Sequence, residues 1–274
     1  MTTATDLSAL LVDVAAEAAT AVADQLRAAF RAGMDIDYKR DAHDPVTVHD
    51  KAAEARIREV ILSRVPDSTI VGEEGGAHGN GRVHWYVDPI DGTANFARGL
   101  AFFCTSIGAV VDGEVVAGAV LDPMAGHLFT ATPSGAWLNG EPLTPRGAPD
   151  EAHALIITSY PSARELARDG QAVATDRFTR LISSYSTLRR TGSAALTLSH
   201  VAAGWADAAL STSINGWDVC AAQLLVRSAG AVYQPFTLGS DEAGWDSPGF
   251  IAHHAGLDPV ALNGIVADMI GTGR

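Results

Sequence analysis

The stretch Trp85-Tyr86-Val87-Asp88-Pro89-Ile90-Asp91-Gly92-Thr93-Ala94-Asn95-Phe96 decides the reading of this chain. Its aromatic and β-branched run reads as a buried strand, which ends in two carboxylates three residues apart followed by Gly-Thr. Pro89 has a fixed φ and no amide hydrogen, so Asp88 and Asp91 sit on a stiff bend from which both carboxylates can converge. Converging carboxylates repel unless a cation lies between them. Gly92 permits close backbone approach, and the amides of Gly92 and Thr93, if they open a helix, point outward as donors for an anion. The strip suits a metal and a phosphate. Its bland alternative is an ordinary turn, because Asp-Pro and Asp-Gly are common turn dipeptides.

Upstream, Ile70-Val71-Gly72-Glu73-Glu74-Gly75-Gly76 repeats the arrangement, a short apolar strand running into paired acids and then glycines. Farther back, Asp44-Pro45-Val46-Thr47-Val48-His49-Asp50 gives a turn and then an Asp at the N-terminal edge of a helix reading Lys51 to Arg64. Downstream, Asn215-Gly216-Trp217-Asp218 places an Asp at the start of an apolar helical stretch. Each piece also has a plain structural use: Asp50 and Ser193 as helix caps, Asp218 as a partner of a helix dipole, Glu73-Glu74 as a solvated corner. Together Glu73, Asp88, Asp91 and Asp218 would bring four negative charges to one site, which two Mg²⁺ ions would balance. Oxygen-only ligands suit hard cations. Two such ions about 4 Å apart can clamp the attacking and leaving oxygens of an in-line phosphoryl displacement.

The ordered set D-P-V-T-V-H-D, G-E-E, D-P-I-D-G-T-A-N-F, the Thr191-Gly192-Ser193-Ala194 turn and W-D resembles the inositol monophosphatase family of Mg²⁺-dependent, lithium-sensitive phosphatases. The resemblance covers nearly the whole chain. It implies one ion on Glu73, Asp88 and the Ile90 carbonyl with Thr93 nearby, and a second on Asp88, Asp91 and Asp218. It implies a water nucleophile positioned by Glu73 and Thr93, with Asp50 hydrogen-bonded to the Thr93 hydroxyl. The amides of Gly92 and Thr93 would hold phosphate oxygens, Gly192, Ser193 and Ala194 would face the alcohol portion, and Lys39 fits a lysine near the site. A homodimer is implied too.

Seven residues before Asp218, where inositol-specific members carry a glutamate that meets a sugar hydroxyl, this chain has Ser211, which is shorter and uncharged. Cys220 and Gln223 fall where small Ala and Gly are usual, and Ser228 replaces a frequent Glu. These departures leave the metals intact and open the substrate. Inositol monophosphate leads, with histidinol phosphate, fructose bisphosphate and 3′-phosphoadenosine nucleotides as alternatives. The last two classes go with additional basic residues for a second phosphate, and no such cluster stands out. A catalytically silent, metal-dependent binding protein is the alternative of another class.

At 274 residues the chain can form one large domain or two packed halves. A net charge of −13 argues against nucleic acid or an anionic membrane as partner, and for a small phosphorylated substrate only where bound cations invert the local field. Cys104 and Cys220 read as free thiols in a reducing compartment, and residues 1–30 lack the pattern of a signal peptide or a spanning segment, so the expected location is cytoplasmic. The glycines at 72–81 lack the Gly-Lys-Ser/Thr of a nucleotide-binding loop, T-G-S-A-A is not a nucleophile elbow, and the five tryptophans are scattered.

Apolar periodicity predicts a helix from Asp6 to Ala32 with Leu7, Leu10, Leu11, Val14, Ala18, Val22, Leu26 and Phe30 on one face. Gly75 to Gly81 reads as a mobile loop. Thr105 to Val111, Val115 to Leu121 and His127 to Thr132 read as an antiparallel meander. From Ala154 strands and helices alternate. The adjacent His253 and His254 predict one buried and one exposed ring. The expected fold is α/β, an α+β layered sandwich of the sugar-phosphatase type that the resemblance implies. It has an antiparallel-sheet half at 1–145 and a mixed α/β half at 146–274, meeting in the Pro- and Gly-containing stretch 139–150.

Overall fold

The computed structural model describes residues 4–32, 37–38, 45–240 and 242–272. The predicted site residue Lys39 lies outside them. In chain order the elements are α1 (Ala4–Ala29), β1 (Asp37–Tyr38), β2 (Pro45–Val46), α2 (Val48–Arg64), β3 (Ser68–Gly72), β4 (Gly76–Gly79), β5 (Val83–Asp91) and α3 (Thr93–Arg98). Then come β6 (Cys104–Val111), β7 (Glu114–Asp122), β8 (His127–Thr132), β9 (Gly135–Leu138) and β10 (Glu141–Pro142). The remainder is β11 (Leu155–Thr158), α4 (Ala163–Asp169), α5 (Gln171–Ser184), β12 (Thr187–Arg189), α6 (Ala194–Ala203), β13 (Ala208–Ser211), α7 (Gly216–Ser228), β14 (Val232–Phe236), β15 (Gly249–His253) and α8 (Val260–Thr272).

Besides the short β1-β2 ladder, two large sheets alternate with three helical layers. The first sheet has the order β10-β9-β8-β7-β6-β5-β3-β4, and the second β12-β11-β13-β15-β14. Helices α1 and α2 cover one face of the first sheet, α6 and α7 fill the space between the sheets, and α5 and α8 close the far side. The meander is present as predicted, but the first sheet is not wholly antiparallel, since β3 runs parallel to β5. In the second sheet β11 is parallel to β12 and β13, and β15 is antiparallel to β13 and β14. Among the described residues no helix is long and apolar enough to cross a membrane.

Because β6 is covered on both sides, all eight of its residues are buried and its sequence is nearly continuous in apolar or small residues. Gly108 and Gly118 on β6 and β7 let α7 lie directly on the sheet. A Cβ at Gly108 would stand 2.4 Å from Cys220 Sγ and 2.8 Å from the Ala221 nitrogen. On α1 the predicted stripe is buried except for Leu10, which is 40% exposed, and Leu7, which is partly covered.

Three expectations are corrected. The glycine stretch after Glu74 is not a loop: β4 pairs antiparallel with β3, as Gly76 and Gly79 take positive φ angles that a tight edge hairpin needs. His253 and His254 are both buried, because the strand ends at His253 and His254 turns under the 147–148 segment, its Nε2 2.8 Å from the Ala148 carbonyl. Helix α4 was not expected, although Ser162-Ala163-Arg164-Glu165 forms a capping box.

Gly108→Ala is expected to destabilise the fold by about 1–3 kcal/mol, the usual cost of overpacking against backbone. Denaturant unfolding measures it, and an unchanged midpoint would mean that α7 does not sit on β6 as described.

Candidate active site

Two residues three apart on a regular strand point to opposite faces, so Asp88 and Asp91 cannot share a site without an irregularity. The irregularity is present. Asp88 pairs with Ser106 and Asp91 with Cys104, so one extra residue is accommodated on β5 and the register shifts between them. Pro89 has no N–H to lose there, its carbonyl accepts the Thr105 hydroxyl at 2.9 Å, and the Ile90 N–H is taken by Asp88 Oδ1 at 3.0 Å. The bulge turns both acids toward one cavity of about 240 Å³, lined also by Glu73, Ile90, Gly92, Thr93, Arg164, Ser213, Ile214, Asn215 and Asp218.

Each of three acids is fixed by a helix start. Asp91 Oδ2 accepts the Ser193 hydroxyl and the Ala195 N–H, both at 2.6 Å, and Oδ1 accepts the Ala194 N–H at 3.3 Å. Asp218 Oδ2 accepts the Asn215 N–H at 2.7 Å, closing a capping box on α7. Asp50, the third residue of α2, divides its oxygens: Oδ2 takes the Thr47 N–H and hydroxyl, while Oδ1 lies 3.1 Å from the Thr93 hydroxyl. The Thr93 oxygen is also 3.0 Å from the Ile90 carbonyl, so its single proton is committed to protein acceptors and its lone pairs are left for another donor.

Glu73 stands on a turn fixed from below. The buried Glu54 accepts the Glu74 N–H at 2.8 Å, and a Cβ at Gly72 would come within 2.4 Å of the Glu54 carboxylate. Gly92 has φ 97°, and a Cβ there would lie 3.1 Å from the Phe102 carbonyl and 3.3 Å from that of Gly192. Asn95 Nδ2 bonds the Phe102 and Thr191 carbonyls, each at 2.7 Å, tying the short helix α3 to the Thr191-Gly192 turn.

Burial and mutual repulsion leave Asp88, Asp91 and Asp218 reluctant to ionise. Asp88 is pushed well above the usual carboxylate range, first by burial and then by Glu73, Asp91 and Asp218. Asp218 rises to about 8 from burial and then from Asp91, and Asp91 to about 6 from burial, with its three hydrogen bonds opposing the rise. Asp50 is raised by burial. The Cys104 thiol, 3.8 Å from Asp91 Oδ2, is raised by burial and then by Asp91, and stays protonated.

Among the described residues no three His, Cys, Asp or Glu side chains form a ready-made metal cage. The acids border the cavity, and their donor chemistry fits a hard divalent cation: carboxylate oxygens, the Ile90 carbonyl and the Thr93 hydroxyl. A cation at the centre would relieve the repulsion that adds to burial in raising these carboxyls.

Gly192, Ser193, Ala194 and Ser211 line an adjoining cavity of about 210 Å³, which shares Asp91, Ser213, Ile214 and Asp218 with the first. Sequence reasoning did not single out Arg164 or Glu54. The capping box of α4 is the signal that marks the first; nothing in the sequence sets Glu54 apart from the other charges of α2.

The model of the inositol monophosphatase family matches residues 8–268. The Nus factor SuhB of Salmonella typhimurium is 39% identical over 204 residues, covering 73% of this chain and 75% of that protein. The fructose-1,6-bisphosphatase/inositol-1-monophosphatase of Aquifex aeolicus is 34% identical over 207 residues, covering 73% and 77%. Among solved structures, the Thermotoga maritima IMPase superposes with TM-score 0.83 at 28% identity, over 96% of this chain and 98% of that one.

Asp91→Asn keeps an oxygen for the Ser193 and Ala195 donors and removes one charge from the crowded cavity. In metal-free protein near pH 8 its Tm is expected at or above that of the parent, whereas Asp91→Ala, which orphans the amides, lowers it. A thermal melt in chelator that found Asn as damaging as Ala would contradict this account of Asp91.

Proposed function

The chain belongs to the inositol monophosphatase family, and from that premise we propose that it is a Mg²⁺-dependent phosphomonoesterase acting on a small sugar, polyol or related phosphate ester. The observation that carries the reading is the convergence of Glu73, Asp88, Asp91 and Asp218 on one cavity beside Thr93. Glu73, Asp88, the Ile90 carbonyl, Asp91 and Asp218 are the groups that would hold the metal. When bound, Mg²⁺ supplies positive charge for the phosphate and lowers the pKa of a water at neutral pH.

The rest is done by the chain. Thr93, its proton committed to Asp50 or the Ile90 carbonyl, offers a lone pair that accepts a hydrogen bond from the attacking water and fixes its direction. Glu73, on the turn held by Glu54, takes the water's other side. Gly92 and Thr93, which open α3, have N–H groups without intrahelical acceptors and present them to phosphate oxygens. Gly192, Ser193, Ala194 and Ser211 receive the alcohol portion in the adjoining cavity. With serine at 211 the alcohol meets a hydroxyl, which tolerates esters other than those of inositol.

A homodimer, sensitivity to lithium and a cytoplasmic location belong to the same reading. Family membership supports the first two, and the free, buried Cys104 and Cys220 suit a reducing compartment. The name Nus factor belongs to relatives such as that of Salmonella typhimurium. We carry only the phosphatase chemistry to this chain, because the acid cavity supports it.

The test is phosphate release with and without Mg²⁺ from inositol 1-phosphate, histidinol phosphate, fructose 1,6-bisphosphate, 3′-phosphoadenosine 5′-phosphate and glycerol 2-phosphate. Mg²⁺-dependent release abolished by Asp91→Asn is expected; Mg²⁺ binding with no release from any ester would favour a silent binding protein. Asp50→Asn is expected to lower kcat by about 100-fold or more while moving the Mg²⁺ requirement little. Equal loss of both would make Asp50 structural.

The raised pKa values give a pH dependence with a definite sign. Folded Asp91 and Asp218 hold protons that the unfolded chain has released, so their contribution to metal-free stability falls as pH rises through about 4 to 8. Protons and Mg²⁺ compete for the same oxygens, so the rise in Tm on adding Mg²⁺ is expected to be small near pH 5 and larger near pH 8. A Mg²⁺ shift independent of pH would separate the cation from these carboxylates.

A further inference from the structure

Among the described residues that line the acid cavity, Arg164 is the one cationic side chain. It is exposed, in the first turn of α4, and Nη1 donates to the Ser213 hydroxyl. That is the guanidinium's one hydrogen bond among the described residues, and no carboxylate there lies within ion-pairing distance of it. Arg27, Arg64, Arg82 and Arg180, also on the surface, each have an acid partner. Most of the guanidinium's five N–H donors are therefore available, at the mouth of a cavity whose other charged groups are acids.

Its place is built. The next residue, Glu165, is 3% exposed, and its carboxylate accepts the Ser162 N–H and hydroxyl as well as the Thr212 hydroxyl at 2.9 Å. The start of α4 and the segment after β13 are thus one piece, and Arg164 is aimed at Ser213. Ser213 lines both cavities, so the guanidinium stands where an ester passes from the acid cavity into the adjoining one. Apart from the shared Asp91 and Asp218, the polar side chains of that second cavity are hydroxyls, with no charge of either sign.

We propose that Arg164 receives a second anionic group, carboxylate or phosphate, carried by the alcohol portion of the substrate, and so selects esters of acidic alcohols over neutral ones. The inference rests on the phosphatase reading above and narrows its substrate class. A guanidinium recognises carboxylate and phosphate alike through paired N–H donors, and a charge-assisted pair at the rim adds affinity that a neutral hydroxyl cannot supply. The same arrangement disfavours an amino alcohol ester, whose ammonium would face Arg164 and find no carboxylate beyond the two that the cation needs.

A matched pair of esters tests it: glycerol 2-phosphate and 2-phosphoglycerate differ by a hydroxymethyl against a carboxylate. The wild type in Mg²⁺ is expected to favour 2-phosphoglycerate in kcat/KM by about tenfold or more, with the difference mainly in KM. Arg164→Gln is expected to collapse that ratio toward one, and Arg164→Lys to restore part of it. Thermal-shift titration of both esters on the slowed Thr93→Ala background, with and without Arg164→Gln, reads binding without turnover and is expected to give the same ratios. Fructose 1,6-bisphosphate against fructose 6-phosphate asks whether a second phosphate serves as the carboxylate does. If the wild type hydrolyses both glycerol esters equally, or if Arg164→Gln lowers both alike because it touches the transferred phosphoryl group, the inference falls and the phosphatase reading stands. If no ester on the wider panel is hydrolysed, both fall.

Discussion

The carboxylate of Asp91, received by the Ser193 hydroxyl and the first amides of α6, is the joint on which the site depends. It is the last residue of β5, in the first sheet, and its partners begin a helix that lies against the second. A helix N-terminus favours a negative charge, so the contact suits an ionised acid. Burial opposes ionisation more strongly, and the net result is the rise to about 6. The joint thus holds the sheets in register while leaving the acid short of the charge compensation that a cation would complete. Because Ser193 and Ala194 also line the adjoining cavity, the same contact shapes that cavity as well.

The plain reading of Asp50 and Asp218 as helix-start residues is what the structure contains, and it does not compete with the chemical one. Asp50 caps α2 with one oxygen and meets Thr93 with the other, and Asp218 closes a box with Asn215 while facing the cavity. A carboxylate has about four lone-pair positions, so a helix start can take one or two and leave the rest. Capping has a further use here. It fixes each side chain in one rotamer, so cavity acids that repel one another do not swing apart into solvent. The geometry is held by neutral N–H and O–H donors, whose dipoles attract the charge without cancelling it.

What the sequence made legible follows from how local each feature is. The strand ending in Asp88-Pro89-Ile90-Asp91-Gly92, the meander and the ordered acids are short-range patterns, and the structure contains them. The β5 bulge is implied by the spacing of three together with convergence, although neither observation alone requires it. The glycines after Glu74 looked like a loop because glycine weakens any strand; in place they are an edge strand held by pairing with β3. His253 and His254 misled because alternation stops where a strand stops. Gln223 is the clearest case of information that lies outside the sequence: fully buried, it has a carbonyl oxygen without a partner among the described residues. Only the packing of α7 between two sheets makes that visible.

The two halves of the site carry different constraints. On the first sheet and its loops the acids are coupled by charge: Asp88, already raised by burial, is pushed further by Glu73 and Asp91. On the second side, Thr158, Ser159, Ser211 and Ser213 line the adjoining cavity with uncharged hydroxyls. Arg164 stands on this second side, attached through Ser213 and through the Glu165 to Thr212 contact. Apart from the shared Asp91 and Asp218, the polar side chains of the adjoining cavity are hydroxyls, with the Arg164 guanidinium at the mouth of the acid cavity beside it.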